Sequence, residues 1–294
     1  MSKSDDLSKI RDEIDSIDNQ ILSLLNDRAR LAIQAGDAKQ DSNKYKPARE
    51  SSIYNRLLNL NNGPLETDQV KNIFNEIISS CRSTESAFTI SYLGPEGTFS
   101  ESALQGQFGK SVGKIPEQTI RSIFESVSEG SSDFGIVPIE NSTEGSVNST
   151  LDCLSEFELI ICGEIEMAIH HNLLGHNKPL PTEGFEIHAH EQTLGQCRGW
   201  LESYCPGVKL VSVNSNAQAA SNVTEDNKVI AIAGELAANK YGLDILSKNI
   251  EDYASNTTRF LTIGSIESGQ TLSLIHISEP TRRYAISYAV FCLK

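Results

Sequence analysis

Near the start of the chain an apolar stripe of Leu7, Ile10, Ile14, Ile17, Ile21, Leu24 and Leu31 steps by three and four residues. Arg28 interrupts it at a seam position. A guanidinium aimed at a packed interior is costly unless it meets a carboxylate of the protein or of a ligand. A second stripe, Val70, Phe74, Ile77 and Cys81, arrives four residues later at Glu85, another charged group on an apolar face. Lys39 lies three turns beyond Arg28 and can point to the same side, while Arg11 borders the seam near its other end. An internal salt bridge, such as Arg28 with Glu85 or Glu50, accounts for one such pair. Three or four cations directed at one interior fit a pocket for a small dianion, with arginines forking onto carboxylates.

The second half of the chain carries polar groups at the ends of strand-like runs. TISYLGPEGTFSESA reads strand, glycine turn, helix, which places the backbone N–H groups around Gly97, Thr98 and Phe99 where an anion could bind. In DFGIVPIENSTEGSVNSTLD a buried strand stops at Pro138 and is followed by Glu140, Asn141, Ser142, Thr143 and Glu144. Polar groups at a strand's C-terminal end mark the ligand position of an open α/β sheet, with an ordinary capped turn as the plainer alternative. His188 and His190 alternate on one strand face, as a metal pair would. No third ligand accompanies them, which points to hydrogen bonding or structure, and no metal or cofactor is expected.

The elements that must hold these groups differ between the two halves. Up to about residue 86 the pattern is helical, with predicted helices from about Asp5 to Lys39, Pro47 to Leu60 and Leu65 to Glu85. The first is roughly 50 Å long at 1.5 Å per residue. Three helices of such unequal length cannot bury that seam alone, so a homodimer through this module is expected. From Phe88 onward short β-rich runs (TISYL, FGIVPI, ELIICGEIEMAI, FEIHA, KLVSV, KVIAIA, RFLTIG) alternate with helix-sized segments. The fold class is therefore multidomain: an all-α module followed by an α/β part, with two lobes and a cleft between them.

The whole chain has 294 residues, 39 acidic against 25 basic side chains and a formal net charge of −14. That balance argues against nucleic acid or an anionic membrane as the main partner. No run approaches the roughly 20 apolar residues of a membrane helix, and MSKSDDLSK lacks the order of a secretion signal, so a cytoplasmic location is expected. The six cysteines form no CxxC pair and read as reduced, structural thiols.

The segment IRDEIDSIDNQILSLLNDRARLAIQAGDAK, followed by KPARE, resembles the all-helical chorismate mutase family. The resemblance implies rearrangement of chorismate to prephenate without covalent catalysis, by binding a compact conformer and stabilising charge on the breaking ether oxygen. By matching positions, Arg11 of one protomer and Arg28 of the other would hold the two carboxylates, and Lys39 would donate to the ether oxygen. Arg49 would support the carboxylate cluster and Glu50 would receive the ring hydroxyl. Lys46, Cys81 and Glu85 depart from residues common in that family. Glu85 could serve where others have glutamine only as the protonated acid. Mutase activity is then expected to fall as pH rises, with Glu85→Gln flattening the profile; a wild-type rate flat from mildly acid to mildly alkaline pH would contradict this.

Similarly, YLGPEGTF, GIVPIENSTEGSVN, AIAGELAA and TRF together resemble prephenate dehydratase, from about Phe88 to Gly264. That family implies two lobes around a cleft in which prephenate loses carbon dioxide and its ring hydroxyl to give phenylpyruvate. Thr258 would be the acid or proton-positioning group and Arg259 the carboxylate anchor, next to Phe260 of the same motif. Glu140, Asn141, Gln196, Ser215 and Asn216 would line the cleft, and Thr98 would lie at the anion turn. Ala189-His190-Glu191-Gln192 replaces a common Ser-His-Pro-Gln, removing a hydroxyl and adding a charge to that wall.

The expected divisions are residues 1–86, the mutase module, 88–266, the dehydratase, and 267–294. TLSLIHISEPTRRYAISYAVFCLK in the last part resembles translated adapter sequence. A regulatory ACT domain, which such proteins usually carry next, is expected to be missing, making the chain insensitive to phenylalanine. Two other readings compete: a non-enzymatic two-lobed anion sensor on a helical dimerisation stalk, and a dehydratase joined to a degenerate mutase.

Overall fold

The computed structural model describes residues 3–38, 47–85, 89–176, 184–225 and 228–265. Three helices come first: α1 (Lys3–Ala38), α2 (Pro47–Leu60) and α3 (Thr67–Glu85). α1 and α2 run close to the spans predicted for them. α3 starts two residues later than expected, because the Glu66 N–H is taken by the Gln69 side chain at 2.9 Å and its carbonyl accepts the Val70 N–H. The α1 stripe is not covered: Leu7, Ile10, Ile14, Ile17 and Ile21 are 48–54 % exposed. Lys39 and Lys46 lie outside the described residues, as does the Glu85 side chain.

Then follow β1 (Thr89–Leu93), α4 (Phe99–Phe108), β2 (Gly113–Glu117), α5 (Ile120–Ser128), β3 (Phe134–Asn141), β4 (Gly145–Ser146), α6 (Asn148–Glu156) and β5 (Ile160–Ala168). The chain next builds β6 (Asn172–Gly175), β7 (Glu186–Ala189), α7 (Glu191–Gln196), α8 (Arg198–Tyr204), β8 (Lys209–Ser212), α9 (Asn216–Ser221), β9 (Val229–Ala233), α10 (Glu235–Tyr241) and β10 (Asp244–Ser247). It closes with β11 (Thr257–Gly264).

These strands form two sheets. Lobe 1 has the order β2-β1-β3-β11-β5, with β4 attached to β3, and lobe 2 has the order β10-β6-β9-β7-β8. β11 is antiparallel to both of its neighbours and lies between them, so the last strand is an interior one. Strand alternation sends Ile90, Tyr92, Ile136 and Phe260 to one face of sheet 1, with Leu104 and Phe108 of α4. Val137, Ile139, Leu261 and Ile263 go to the other face, against α5 and α6. In lobe 2, Leu173, Ile187, Ile230 and Ile232 pack on Cys197 and Leu201. Five of the six cysteines are described, all buried.

The chain passes from lobe 1 to lobe 2 at Ile169–His171 and returns before β11. The two crossings are hydrogen-bonded side by side, Ile169 N–H to Asn256 O and Ile250 N–H to His171 O, both 2.8 Å. The helical module docks on lobe 1 through α3. Asn75 Nδ2 donates to Gln105 O at 3.2 Å and Gly106 O at 3.0 Å, and the Ser111 N–H donates to Ser79 Oγ at 3.3 Å.

Candidate functional site

The polar residues after β3 meet those before β11 because the two strands pair in register, Asn141 opposite Thr258 and Glu140 opposite Arg259. Asn141 Nδ2 donates to Thr258 Oγ1 at 2.8 Å and to Asn256 Oδ1 at 3.2 Å. Its Oδ1 accepts the Thr143 backbone N–H at 2.9 Å and the Thr143 hydroxyl at 2.5 Å. Gln196, at the end of α7 in lobe 2, reaches across with Nε2 donating to Thr143 Oγ1 at 2.8 Å. Its Oε1 accepts from Asn256 Nδ2 at 3.2 Å and faces His171 Nε2 at 2.8 Å. Asn141, Thr143, Gln196 and Asn256 thus close a ring of hydrogen bonds across the cleft floor, with Thr258 attached to it. Asn256 and Thr258 are buried, so each unmet bond there would cost on the order of 1–3 kcal/mol.

The ring leaves Thr258 suited to donate. A hydroxyl has one hydrogen and two lone pairs, and Asn141 occupies a lone pair. Asn141 and Gln196 are brought together as expected, with Thr143 of the polar run after β3; Asn256 and His171 join them, although the sequence does not single them out. Each is a polar residue in a loop or crossing, where no periodicity marks it.

Arg259 lies outside this ring. Adjacent strand residues face opposite sides of a sheet, and its guanidinium pairs with Glu140 at 2.9 Å and Glu164 at 2.6 Å. Burial works to lower its pKa, but the two carboxylates prevail and hold it above the ordinary arginine value. Phe260 is placed away from the cleft floor, 2 % exposed in the lobe 1 core.

The glycine turn before α4 is filled by the protein itself. The Gly97 N–H donates to Glu101 Oε2 at 2.7 Å, and Glu101 also pairs with Lys114 at 2.6 Å. Thr98 caps α4, accepting from the Glu101 N–H and donating to Leu93 O at 3.0 Å. Burial works to raise the Glu101 pKa, yet the Lys114 and Gly97 contacts outweigh it and hold the carboxyl below its usual range. The same turn touches lobe 2. A Cβ on Gly234 would lie 2.9 Å from the Phe99 ring, and Glu96 pairs with Lys240.

Ser215 caps α9 through the Gln218 N–H at 3.0 Å. Asn216 accepts the His190 N–H at 2.9 Å and donates to Thr193 Oγ1 at 2.8 Å. Both therefore brace the wall formed by α7 and α9. His190 caps α7 and His188 contacts Glu186, so both make hydrogen bonds, and among the described residues no three His, Cys, Asp or Glu side chains group as a metal site.

In the helical module, Arg28 is half-buried near Tyr54, whereas Arg11 and Arg49 are exposed and Cys81 is buried. Arg11 and Arg28 are roughly 25 Å apart along α1, so one copy of the chain does not bring them together. Glu50 is partnered by Arg82, rather than by Arg28. Arg82 is 7 % exposed, with its Cζ 5.9 Å from the Phe108 ring centroid in lobe 1.

Comparison with known families matches residues 90–268 to prephenate dehydratase and residues 10–86 to chorismate mutase type II. A bifunctional chorismate mutase/prephenate dehydratase of Stutzerimonas stutzeri is 43 % identical over 91 % of this chain and 75 % of its own length. A protein of the same description from Aquifex aeolicus is 41 % identical over 88 % and 73 %. Among solved structures, the prephenate dehydratase of Arthrobacter aurescens in complex with L-Phe aligns with a TM-score of 0.58 and 32 % identity, over 62 % of this chain and 63 % of that one.

Proposed function

Because the chain belongs to the bifunctional chorismate mutase/prephenate dehydratase family, with both activities and both substrates following from that membership, we propose that its dehydratase centre is the ring of Asn141, Thr143, Gln196 and Asn256 around Thr258. The overall reactions are conversion of chorismate to prephenate, then of prephenate to phenylpyruvate, carbon dioxide and water.

In the second reaction the electron pair of the breaking carbon–carboxylate bond moves into the ring and drives out the ring hydroxyl. That oxygen needs a hydrogen-bond donor as charge builds on it. Thr258 supplies the donor, since Asn141 occupies a lone pair of its oxygen and leaves its hydrogen for the leaving group. Gln196 ties lobe 2 to this centre, so the group that aligns Thr258 is complete only when both lobes contribute. Arg259 is the proposed carboxylate anchor; its guanidinium is held between Glu140 and Glu164, so a substrate carboxylate would take the place of one of them. Thr98, Ser215, Asn216 and Phe260 act behind the wall, as caps, braces and core.

For the first reaction we propose that Arg11, Arg28, Lys39, Arg49 and Glu50 form the chorismate site, with Cys81 and Glu85 on α3, and that a second copy of the chain completes it. The uncovered α1 stripe supports that homodimer. The helical module is residues 1–86 and the dehydratase 88–266. A cytoplasmic location accords with relatives that are biosynthetic enzymes; among the described residues no helix is long and apolar enough to cross a membrane.

The observation that carries the dehydratase assignment is the hydrogen-bonded ring joining Asn141, Gln196 and Thr258. Its test is incubation of purified protein with chorismate while chorismate, prephenate and phenylpyruvate are followed together. Phenylpyruvate is expected. Accumulation of prephenate alone, or no turnover of added prephenate by folded protein, would overturn it.

A further inference from the structure

We infer that His171 is a positioning residue for the dehydratase reaction: as a neutral imidazole with its proton on Nε2, it fixes the Gln196 carboxamide that reaches from lobe 2 to Thr143. This rests on the dehydratase centre proposed above.

The tautomer follows from the direction of the hydrogen bonds. The Thr143 backbone N–H can only donate, so the Asn141 atom 2.9 Å from it is the carbonyl oxygen. The Thr143 hydroxyl meets that same oxygen, so it too donates its hydrogen there. Its own oxygen must then accept from Gln196, which makes the atom 2.8 Å away the amide nitrogen. The other end of the Gln196 carboxamide is therefore its oxygen, and it faces His171 Nε2 at 2.8 Å. Only a protonated Nε2 makes that approach attractive.

The remaining surroundings agree with a neutral ring. Nδ1 is buried with no hydrogen-bond partner, as suits a bare ring nitrogen in an apolar setting. The Phe99 ring packs edge-on at 5.5 Å between centroids. Glu251, the acidic group at this crossing, is already engaged: Oε2 takes the His171 backbone N–H at 2.9 Å and Oε1 takes His170 Nδ1 at 2.8 Å. Burial, the largest influence, lowers the His171 pKa, with neighbouring His170 adding to it and Gln196 and Glu251 opposing it.

Fixing one end of the carboxamide fixes the other. Without the Nε2 donor, the Gln196 oxygen keeps only the longer contact from Asn256 Nδ2 at 3.2 Å, and the amide can turn over and present an oxygen to Thr143. The Thr143 hydrogen would then leave Asn141, and the support behind Thr258 would loosen. His171 sits where the chain crosses between lobes, so it holds this geometry from that crossing.

Three variants test the role, with the mutase rate of the same chain as the measure of folded protein. His171→Leu is expected to lower the dehydratase kcat roughly 10- to 100-fold, with KM within about threefold and the mutase rate unchanged. His171→Gln carries an N–H donor to about the same place and is expected to recover activity to within about threefold of wild type. In a Gln196→Leu background, His171→Leu should cause no further loss. Independently of turnover, ¹⁵N-histidine NMR of the wild-type chain at neutral pH should show the Nε2–H tautomer. A wild-type kcat in His171→Leu, independent losses in the double variant, or an Nδ1–H tautomer would overturn the inference. If the wild-type chain turned over no prephenate, the dehydratase assignment would fail, while the tautomer would still report on His171.

Discussion

Thr258 and Asn141 face each other directly across the β3–β11 ladder, and the Asn141 carboxamide donates to Thr258 Oγ1 at 2.8 Å. The two residues are 117 positions apart in the chain. Sheet register alone brings them together, and the same register sets Arg259 against Glu140. The orientation of Thr258 is thus a property of strand pairing and does not depend on a flexible loop.

Removing either partner should disable one reaction and spare the other. Thr258→Ala is expected to lower the dehydratase kcat about 100-fold or more, and Thr258→Ser, which keeps the hydroxyl, by less than about tenfold. Asn141→Ala should lie between them. Phenylpyruvate formation from prephenate measures the loss, and unchanged conversion of chorismate to prephenate shows that the chain is folded.

Burial lowers the His171 pKa, so below the ordinary histidine value of about 6.5 the unfolded chain binds a proton that the folded chain refuses. The stability this group contributes is complete above that value and is lost as pH falls through the window beneath it. Urea midpoints at pH 7.5 and 5.5 should differ more for wild type than for His171→Gln. Equal differences would show that His171 does not account for the slope.

Glu101 gives an acid dependence at lower pH. Its folded pKa is depressed, so its contribution is present above the ordinary carboxylate range and is lost as pH falls through the folded value. Glu101→Gln keeps the shape and removes the charge that Lys114 meets at 2.6 Å. A loss of about 2 kcal/mol at pH 7, shrinking toward pH 3, is expected from denaturant titration.

Gly109 packs closely on α3 where the helical module meets lobe 1. Its φ is +75°, and a Cβ there would lie 2.3 Å from Ser79 Cβ on α3. Gly109→Ala should therefore destabilise the chain by about 2 kcal/mol or more, through backbone strain and through displacement of α3. Ser79→Gly in the same chain should restore part of the loss in thermal unfolding, because it removes the clash, while the strain and the lost Ser111–Ser79 hydrogen bond remain.

The exposed α1 stripe carries a prediction about assembly. Ile17, 54 % exposed in the single chain, would be buried in the homodimer. Ile17→Asp should shift the chain to a monomer by light scattering and lower the mutase rate by more than about tenfold, since Arg11 and Arg28 would no longer meet. Dehydratase turnover should stay within about twofold of wild type. A monomeric variant with full mutase activity would refute the shared site.

Periodicity in the sequence was enough for the helical module, because α1 and α2 repeat every three to four residues over many turns. The motifs that carry the resemblance, and not periodicity, imply one cleft for Asn141, Gln196 and Thr258. Asn256 and His171 are not legible there, because their partners are set by how two lobes meet. Arg82 is not legible for a related reason: it lies beside the α3 stripe, and it packs over Phe108 of lobe 1. The TRF motif reads as one unit in sequence, whereas strand alternation and a register shift after Arg259 send its three side chains to different surroundings. The Gly97 turn had the form of an anion site; the anion it holds is the chain's own Glu101.

The order of strands imposes a schedule on biosynthesis. All of lobe 2, from β6 to β10, is continuous in the chain and can fold as soon as it has been made. Sheet 1 waits for β11, which must slide in between β3 and β5 as its interior strand. Until it does, two strand edges stay open to pairing with other chains. Thr258 travels on that closing strand, so a nascent chain acquires its dehydratase hydroxyl in the same step that removes those edges.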